Sequence, residues 1–150
     1  LRTTPARPAT GAEAAWAATG AAPTWAATRP LLVDCRLDLA RLDLTRYDAV
    51  RQLAPFGSAF PEPAFLCQEV RILRCWRSGP DGRTLRLRLR DASGVERVVL
   101  WPRQGELAGE LQPLLSTQPR FDVLLSLGAY QPRPDLMREL SPRVLALLPR

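Results

Sequence analysis

Residues 53–65 read Leu-Ala-Pro-Phe-Gly-Ser-Ala-Phe-Pro-Glu-Pro-Ala-Phe, a short segment that combines rigid and apolar residues. Proline lacks a backbone N–H and fixes φ, so it excludes a helix interior and a central strand. The segment contains three prolines: Pro55, Pro61 and Pro63. Gly57 permits a sharp turn. We predict a structural turn that locks the entrance to a folded domain, with Phe56 buried against that domain.

The residues before this turn predict a short helix. Apolar residues recur at helical spacing over residues 44–53. They are Leu44, Tyr47, Val50 and Leu53. Asp43 or Thr45 can cap the start of the helix, which has to end before Pro55.

The residues after the turn predict strands and one further helix. Thr84–Arg90 alternates leucine with arginine, which predicts a strand with one buried face and an outward row of arginines. The other predicted strands are residues 65–76, 95–101, 121–127 and 136–148, the last interrupted at Pro142, and the predicted helix is residues 104–115. The order of strand, strand, strand, helix, strand, strand is that of an OB-fold, a partly open five-stranded barrel. The periodicity alone also fits other small barrels.

Several segments resemble the OB-type domain of RecJ-like exonucleases specific for single-stranded DNA. Residues 53–65 are similar to that family's turn Leu-x-Pro-Phe-Gly-x-Gly-Asn-Pro-x-Pro-x-Phe, with Ala59 and Phe60 in place of Gly-Asn. Residues 79–87 resemble its hairpin Gly-x-Asp-Gly-Lys-His-Leu-Lys-Leu, with Thr84 where His is usual. Residues 32–37 resemble the family's lead-in, and residues 121–123 the start of its fourth strand.

The resemblance covers about residues 31–148 and implies a mainly β, OB-like domain over residues 31–150. It also implies a parent protein that acts as a 5′→3′ single-strand exonuclease in DNA repair and recombination, in the cytoplasm. That family holds Mn²⁺ or Mg²⁺ in a separate nuclease domain with Asp/His clusters such as Asp-His-His, and none of those motifs occurs here. We therefore expect an accessory domain without a cofactor of its own, and we expect the chain, which begins with Leu, to be a fragment.

The composition agrees with a role other than catalysis. The chain has neither His nor Lys, so the commonest general base and the Schiff-base nucleophile are both missing. Its net charge is +6 and all 21 basic residues are arginine, which fits a GC-rich genome as well as a nucleic-acid-binding surface. Three irregularly spaced cysteines without His cannot form a closed zinc site, and we expect reduced thiols. No apolar run approaches the ~20 residues of a membrane span.

OB-folds hold single strands on the outer face of strands 2 and 3, between the loops that join strands 1–2 and 4–5. The arginines of the second strand repeat every ~7 Å along that face, because two strand residues advance ~6.6–6.8 Å. The predicted DNA-binding residues are Arg77, Arg83, Arg86, Arg88, Arg90, Trp76, Trp101, Tyr130 and Arg133. Alternatively, the arginines form a solvated face and the two tryptophans belong to the core.

Residues 1–30 are rich in Ala, Thr and Pro, which predicts a flexible linker with a weak helix near residues 12–18. The sequence Trp-Ala-Ala-Thr occurs twice in this segment, beginning at Trp16 and at Trp25. We expect these two tryptophans either to dock on the domain or to bind a partner. A second hypothesis for the whole chain is a diverged protein-docking module. Its partner would then be a helicase or the acidic tail of single-strand binding protein.

Overall fold

In the computed structural model, the described residues are 4–6, 31–56, 62–130, 134–135 and 137–150. Their strands are β1 (Thr4–Ala6), β2 (Leu31–Val33), β3 (Cys35–Arg36), β4 (Phe65–Ser78), β5 (Thr84–Arg90), β6 (Glu96–Trp101), β7 (Arg120–Ser126), β8 (Ala129–Tyr130), β9 (Glu139–Leu140) and β10 (Arg143–Pro149). Their helices are α1 (Leu44–Arg51) and α2 (Ala108–Leu111), with 3₁₀ segments at Leu39–Arg41, Gly105–Leu107 and Gln112–Thr117. None of the helices in these residues is long and apolar enough to cross a membrane.

Five strands close into a barrel. Their order is β4-β5-β6-β10-β7, and β7 pairs back onto β4. The pairs are antiparallel except for β6–β10, which is parallel, and β3 adds a short parallel pair at the edge of β4. The predicted OB-like architecture is therefore confirmed.

The alternation in β5 sets the inside and outside of the barrel. Leu85, Leu87 and Leu89 have no exposed surface and pack in the main core with Val99 and Phe121. Fully burying one such leucine is worth ~1.5–3 kcal/mol. Because successive side chains of a strand point to opposite faces, the intervening arginines point outward, as predicted.

The long strand β4 pairs with two neighbours because it bends. The register between β4 and β7 shifts between Cys67 and Val70, and Glu69 between them has φ of 56°. The Asp122 carboxylate accepts the N–H of Glu69 at 3.0 Å, which stabilises this bulge. A bulge increases the local twist. The first part of β4 can therefore pair with β7 and the second part with β5.

The segment between β6 and β7 differs from the prediction. The single helix predicted over residues 104–115 is three short consecutive segments, 3₁₀, α and 3₁₀. Pro113 lies near the start of the last segment and has no N–H to continue an α-helix. Leu107 and Leu111 are nevertheless buried in the main core, so the segment covers one part of the barrel interior.

The helix before the barrel is confirmed, with Asp43 as its cap. The Asp43 carboxylate accepts the N–H of Arg46 at 2.8 Å, and the helix ends at Arg51 rather than at residue 53. Phe56 is half-buried against the main core rather than fully buried, with the Arg51 guanidinium 5.6 Å from its ring centre. Pro55 is exposed and Pro63 is half-buried. Gly57 and Pro61 lie outside the described residues, as do Ala59 and Phe60.

Three described residues of the predicted linker form a strand. Thr4–Ala6 pairs antiparallel with Leu31–Val33, at the start of the predicted domain. Backbone pairing can order residues that have little apolar area of their own. Val33 lies in a second apolar cluster with Leu66, Leu124 and Leu148. Residues 7–30, including Trp16 and Trp25, lie outside the described part of the chain.

Candidate nucleic-acid interface

The outer face of β5 presents three arginines, Arg86, Arg88 and Arg90, which we call the arginine ladder. Arg86 is half-buried, and its Nε donates to the Ser78 hydroxyl at 2.8 Å. The side chains of Arg88 and Arg90 are each 49% exposed. The ladder therefore has one tethered guanidinium and two that are more accessible.

The carboxylate of Glu96 lies beside the arginine ladder. Glu96 of β6 accepts a hydrogen bond from Nη2 of Arg90 at 2.8 Å, and its other oxygen lies 3.9 Å from Nη1 of Arg88. The hydrogen bond from Arg90 keeps the pKa of Glu96 below its ordinary value, and the charges of Arg90 and Arg88 act in the same direction. Glu96 is therefore ionised at neutral pH and competes with any phosphate for these two arginines.

The strand beside β5 adds cations that the sequence reasoning missed. In the register of β4 and β5, Arg74 lies opposite Arg88 and Arg71 lies opposite Arg90. The Arg74 guanidinium stacks 4.9 Å from the ring centre of Trp76. These arginines were missed because β4 has no simple alternation: a register shift between Ile72 and Arg74 changes which residues face outward.

A groove borders the ladder at Arg86, and we call it the hairpin groove. It has a volume of about 440 Å³, within the ~300–1,000 Å³ typical of ligand sites. One wall is the outer face of β5 and β6, and the other is the β8–β9 hairpin. The lining residues are Arg86, Val98, Leu100, Ala129, Glu139, Leu140, Ser141 and Arg143. The groove thus combines an apolar floor with two arginines and one acid.

The hairpin wall is held in place at two points. The Gly128 carbonyl accepts the N–H of Ser141 at 2.7 Å, and a Cβ at Gly128 would lie 2.7 Å from the Ser141 carbonyl oxygen. At the other end, Arg138 makes two hydrogen bonds to Asp48 of α1, at 2.9 and 3.1 Å. The hydrogen bond from Arg138 keeps the pKa of Asp48 below its ordinary value, so this pair persists at neutral pH.

The β4–β5 loop holds two of the predicted arginines in local contacts. Arg77 donates from Nε to the Gly82 carbonyl at 3.1 Å, and Arg83 pairs with Asp81 at 2.9 Å. Both are exposed and remain available to a polyanion. Gly105 anchors the loop, because its N–H donates to the Arg83 carbonyl at 2.8 Å.

A second groove, of about 330 Å³, lies at the other end of the ladder. Its lining contains a cross-strand set that we call the arginine row: Arg90 on β5, Arg71 on β4 and Arg120 on β7. The register places Arg71 directly opposite both of the others. Glu69 and Asp91 also line this groove.

Two predicted stacking residues differ in position. Trp101 is only 9% exposed and packs in the main core, so the core interpretation holds for it and its ring is not available to a base. Trp76 is half-buried on the outer side of β4. Tyr130 lies in β8, at the hairpin, and its side chain is outside the described part of the structure, as is Arg133.

The cysteines and acids of the described residues do not cluster as metal ligands. Burial, with smaller contributions from Asp38 and Asp91, raises the pKa of Cys67 to about 12, and burial also raises the pKa of Cys75. Cys35 is exposed. Within the same ranges, no three side chains of the types Cys, Asp or Glu come together as metal ligands.

The chain has the strand order of an OB-fold, a helical segment that covers the barrel, and a groove beside β5 and β6, the second and third strands of the barrel. These features define an OB-type module. Residues 33–132 match the family model described as RecJ OB domain. The chain belongs to the RecJ OB domain family and is an OB module of the RecJ type, which is a nucleic-acid-binding class of module.

The chain is similar to the crystal structure of a protein from Leishmania major Friedlin assigned as an aspartyl-tRNA synthetase, at 15% identity and a TM-score of 0.45. That similarity covers 91% of this chain and 25% of the other. A search of curated protein sequences gave no match.

Proposed function

We propose that this chain is a non-catalytic accessory module of a RecJ-like 5′→3′ single-strand exonuclease that acts in cytoplasmic DNA repair and recombination. In this proposal it holds single-stranded DNA, while another domain of the parent carries the Mn²⁺- or Mg²⁺-dependent hydrolysis. The observation that carries the proposal is the arginine ladder running directly into the hairpin groove on the outer face of β5 and β6.

The chemistry of this face suits a single strand. Phosphates contact the guanidinium groups of the ladder and of Arg143, which is exposed at the groove wall. Bases lie on the apolar floor formed by Val98, Leu100 and Leu140, since every base has an apolar face. Contacts between arginine and phosphate carry no base information, so binding is expected to be independent of sequence.

The decisive experiment is oligonucleotide titration at several salt concentrations. The variant R86S/R88S/R90S removes up to three phosphate contacts, so the slope of log K against log salt should become shallower by up to ~2, at ~0.7 per phosphate on single strands. A matched control, R36S/R41S/R46S, removes the same charge from the segment before the barrel and should retain most of the wild-type slope.

Retention of the wild-type affinity and slope in the ladder variant would overturn the proposal. The fold of the variant is expected to survive, because the buried leucine face of β5 is untouched. Circular dichroism of both variants checks this. The same titrations, run with Mn²⁺, should leave the oligonucleotide intact.

A second candidate function is docking of an acidic peptide, such as the tail of single-strand binding protein, or of a helicase surface. The observation in its favour is the apolar floor of the hairpin groove beside Arg86 and Arg143, which suits a peptide with apolar and acidic residues. Binding of such a peptide, without any binding of oligonucleotide, would replace the first proposal with this one.

A further inference from the structure

We infer that the arginine row is a second phosphate-binding site, so that one nucleic-acid strand occupies both grooves. This inference rests on the proposed function and extends it, because it sets the length and the path of the strand. The path leads from the hairpin groove along the arginine ladder to the second groove.

The arrangement of the row is electrostatically unfavourable in the free protein. In the strand register, Arg71 lies directly opposite Arg90 on one side and directly opposite Arg120 on the other. Neighbouring strands are only ~4.7–4.9 Å apart, and like charges directly opposite each other destabilise a sheet. An anion bound between these guanidinium groups would remove the repulsion.

The nearby acids are largely occupied elsewhere. The Asp91 carboxylate accepts the backbone N–H groups of Leu39, Ser93 and Val95. One oxygen of Glu69 lies 3.6 Å from Nη2 of Arg150. Of the three arginines in the row, Arg90 is the one that donates a hydrogen bond to Glu96.

Two members of the row therefore lack an acidic partner. Arg71 donates to the neutral Gln118 side chain at 3.2 Å. Within the part of the chain that the structure describes, no carboxylate forms an ion pair with Arg71 or Arg120. The second groove therefore keeps a positive charge that a phosphate can use.

The row and the ladder form one continuous track. Arg90 belongs to both, and it lies ~13–14 Å along β5 from Arg86. Arg120 lies two strand spacings further, ~9–10 Å from Arg90. Arg143 extends the track in the other direction, because it pairs with Leu100, which in turn pairs with Arg86.

Oligothymidylates of about 4 to 16 nucleotides, the range of site sizes known for OB folds, test the length of this track. Wild-type affinity should rise with length until the strand reaches the second groove. The variant R71S/R120S should reach its plateau at a shorter length, with affinity for the longest strand reduced about 100-fold or more, the loss of two charge-assisted hydrogen bonds. Its salt slope should be shallower by ~1.4 for long strands only.

The control R36S/R41S should keep the wild-type plateau length. In the absence of ligand at low salt, R71S/R120S should melt no lower than the wild type, because it removes like-charge repulsion. An unchanged plateau length, or an equal loss for short and long strands, would overturn the second site while leaving the proposed function intact. Absence of any oligonucleotide binding by the wild type would overturn both.

Discussion

Neutralising Glu96 should increase the affinity of the chain for single strands. In the free protein, the Glu96 carboxylate lies 2.8 Å from Nη2 of Arg90 and 3.9 Å from Nη1 of Arg88. It therefore occupies two of the three ladder arginines. E96Q removes this internal competitor and retains a side chain of the same shape, so both guanidinium groups become available to phosphate.

The magnitude follows from the charge that is removed. Glu96 carries one negative charge, so its removal makes at most one further phosphate contact available, and the slope of log K against log salt becomes steeper by up to ~0.7. The gain in affinity should be largest at low salt, because salt screens exposed charges. Fluorescence anisotropy of a labelled oligothymidylate, titrated at four salt concentrations, measures both quantities.

The pH dependence provides a second test of the same reasoning. Since Arg90 holds the pKa of Glu96 below its ordinary value, the wild-type carboxylate competes throughout the neutral range. Wild-type and E96Q affinities should converge only as the pH falls through that lowered pKa.

The matched control is E106Q, which removes one exposed negative charge from the 3₁₀ segment after β6. It should change affinity much less than E96Q. An equal effect of the two variants would mean that net charge alone is measured. No effect of E96Q would mean that phosphate does not contact Arg88 or Arg90.

Three further predictions concern stability, each measured by urea unfolding with circular dichroism. G105A should destabilise the chain by about 1–3 kcal/mol or more, because its Cβ would clash with the carbonyl oxygen of Gly82. The control G109A, with nothing within 4 Å, should be neutral or gain ~0.5–1 kcal/mol. F56A should cost about 2 kcal/mol, since the ring is half-buried, against ~3–5 kcal/mol for a fully buried one; a cost near zero would make residues 53–65 a surface feature. For Asp91, burial raises the pKa, but hydrogen bonds from Ser93, Val95 and Leu39 outweigh it, so the folded pKa lies below 3.8. The contribution of the Asp91 carboxylate to folding stability is therefore complete above pH 3.8 and is lost as the pH falls through the folded pKa. D91N should lower the free energy of unfolding at pH 7 and reduce its further fall at acid pH. An unchanged dependence on acid pH would contradict this account.

The sequence by itself determined the order of the main strands and which face of β5 is buried. The alternation of Thr84–Arg90 was sufficient because a strand has a side-chain period of two, so the leucines and arginines had to face opposite sides. Asp43 and Thr45 were both predicted as possible caps because capping is a local interaction, and the structure shows that Asp43 is the cap. The order of the elements and the turn at residues 53–65 indicated the RecJ-type OB domain, which the family match confirms.

Only the tertiary structure decided which cations meet. Arg71, Arg74, Arg120 and Arg143 lie on three strands other than β5, and their positions depend on register. A bulge of one residue reverses the faces of a strand, and nothing in the local sequence of β4 indicated its two register shifts. Trp101 is the last residue of β6, and its ring is buried because it shares the inward face of that strand with Val99, two residues before it. Charge and periodicity are local properties, whereas proximity across a closed barrel depends on how all five strands pair.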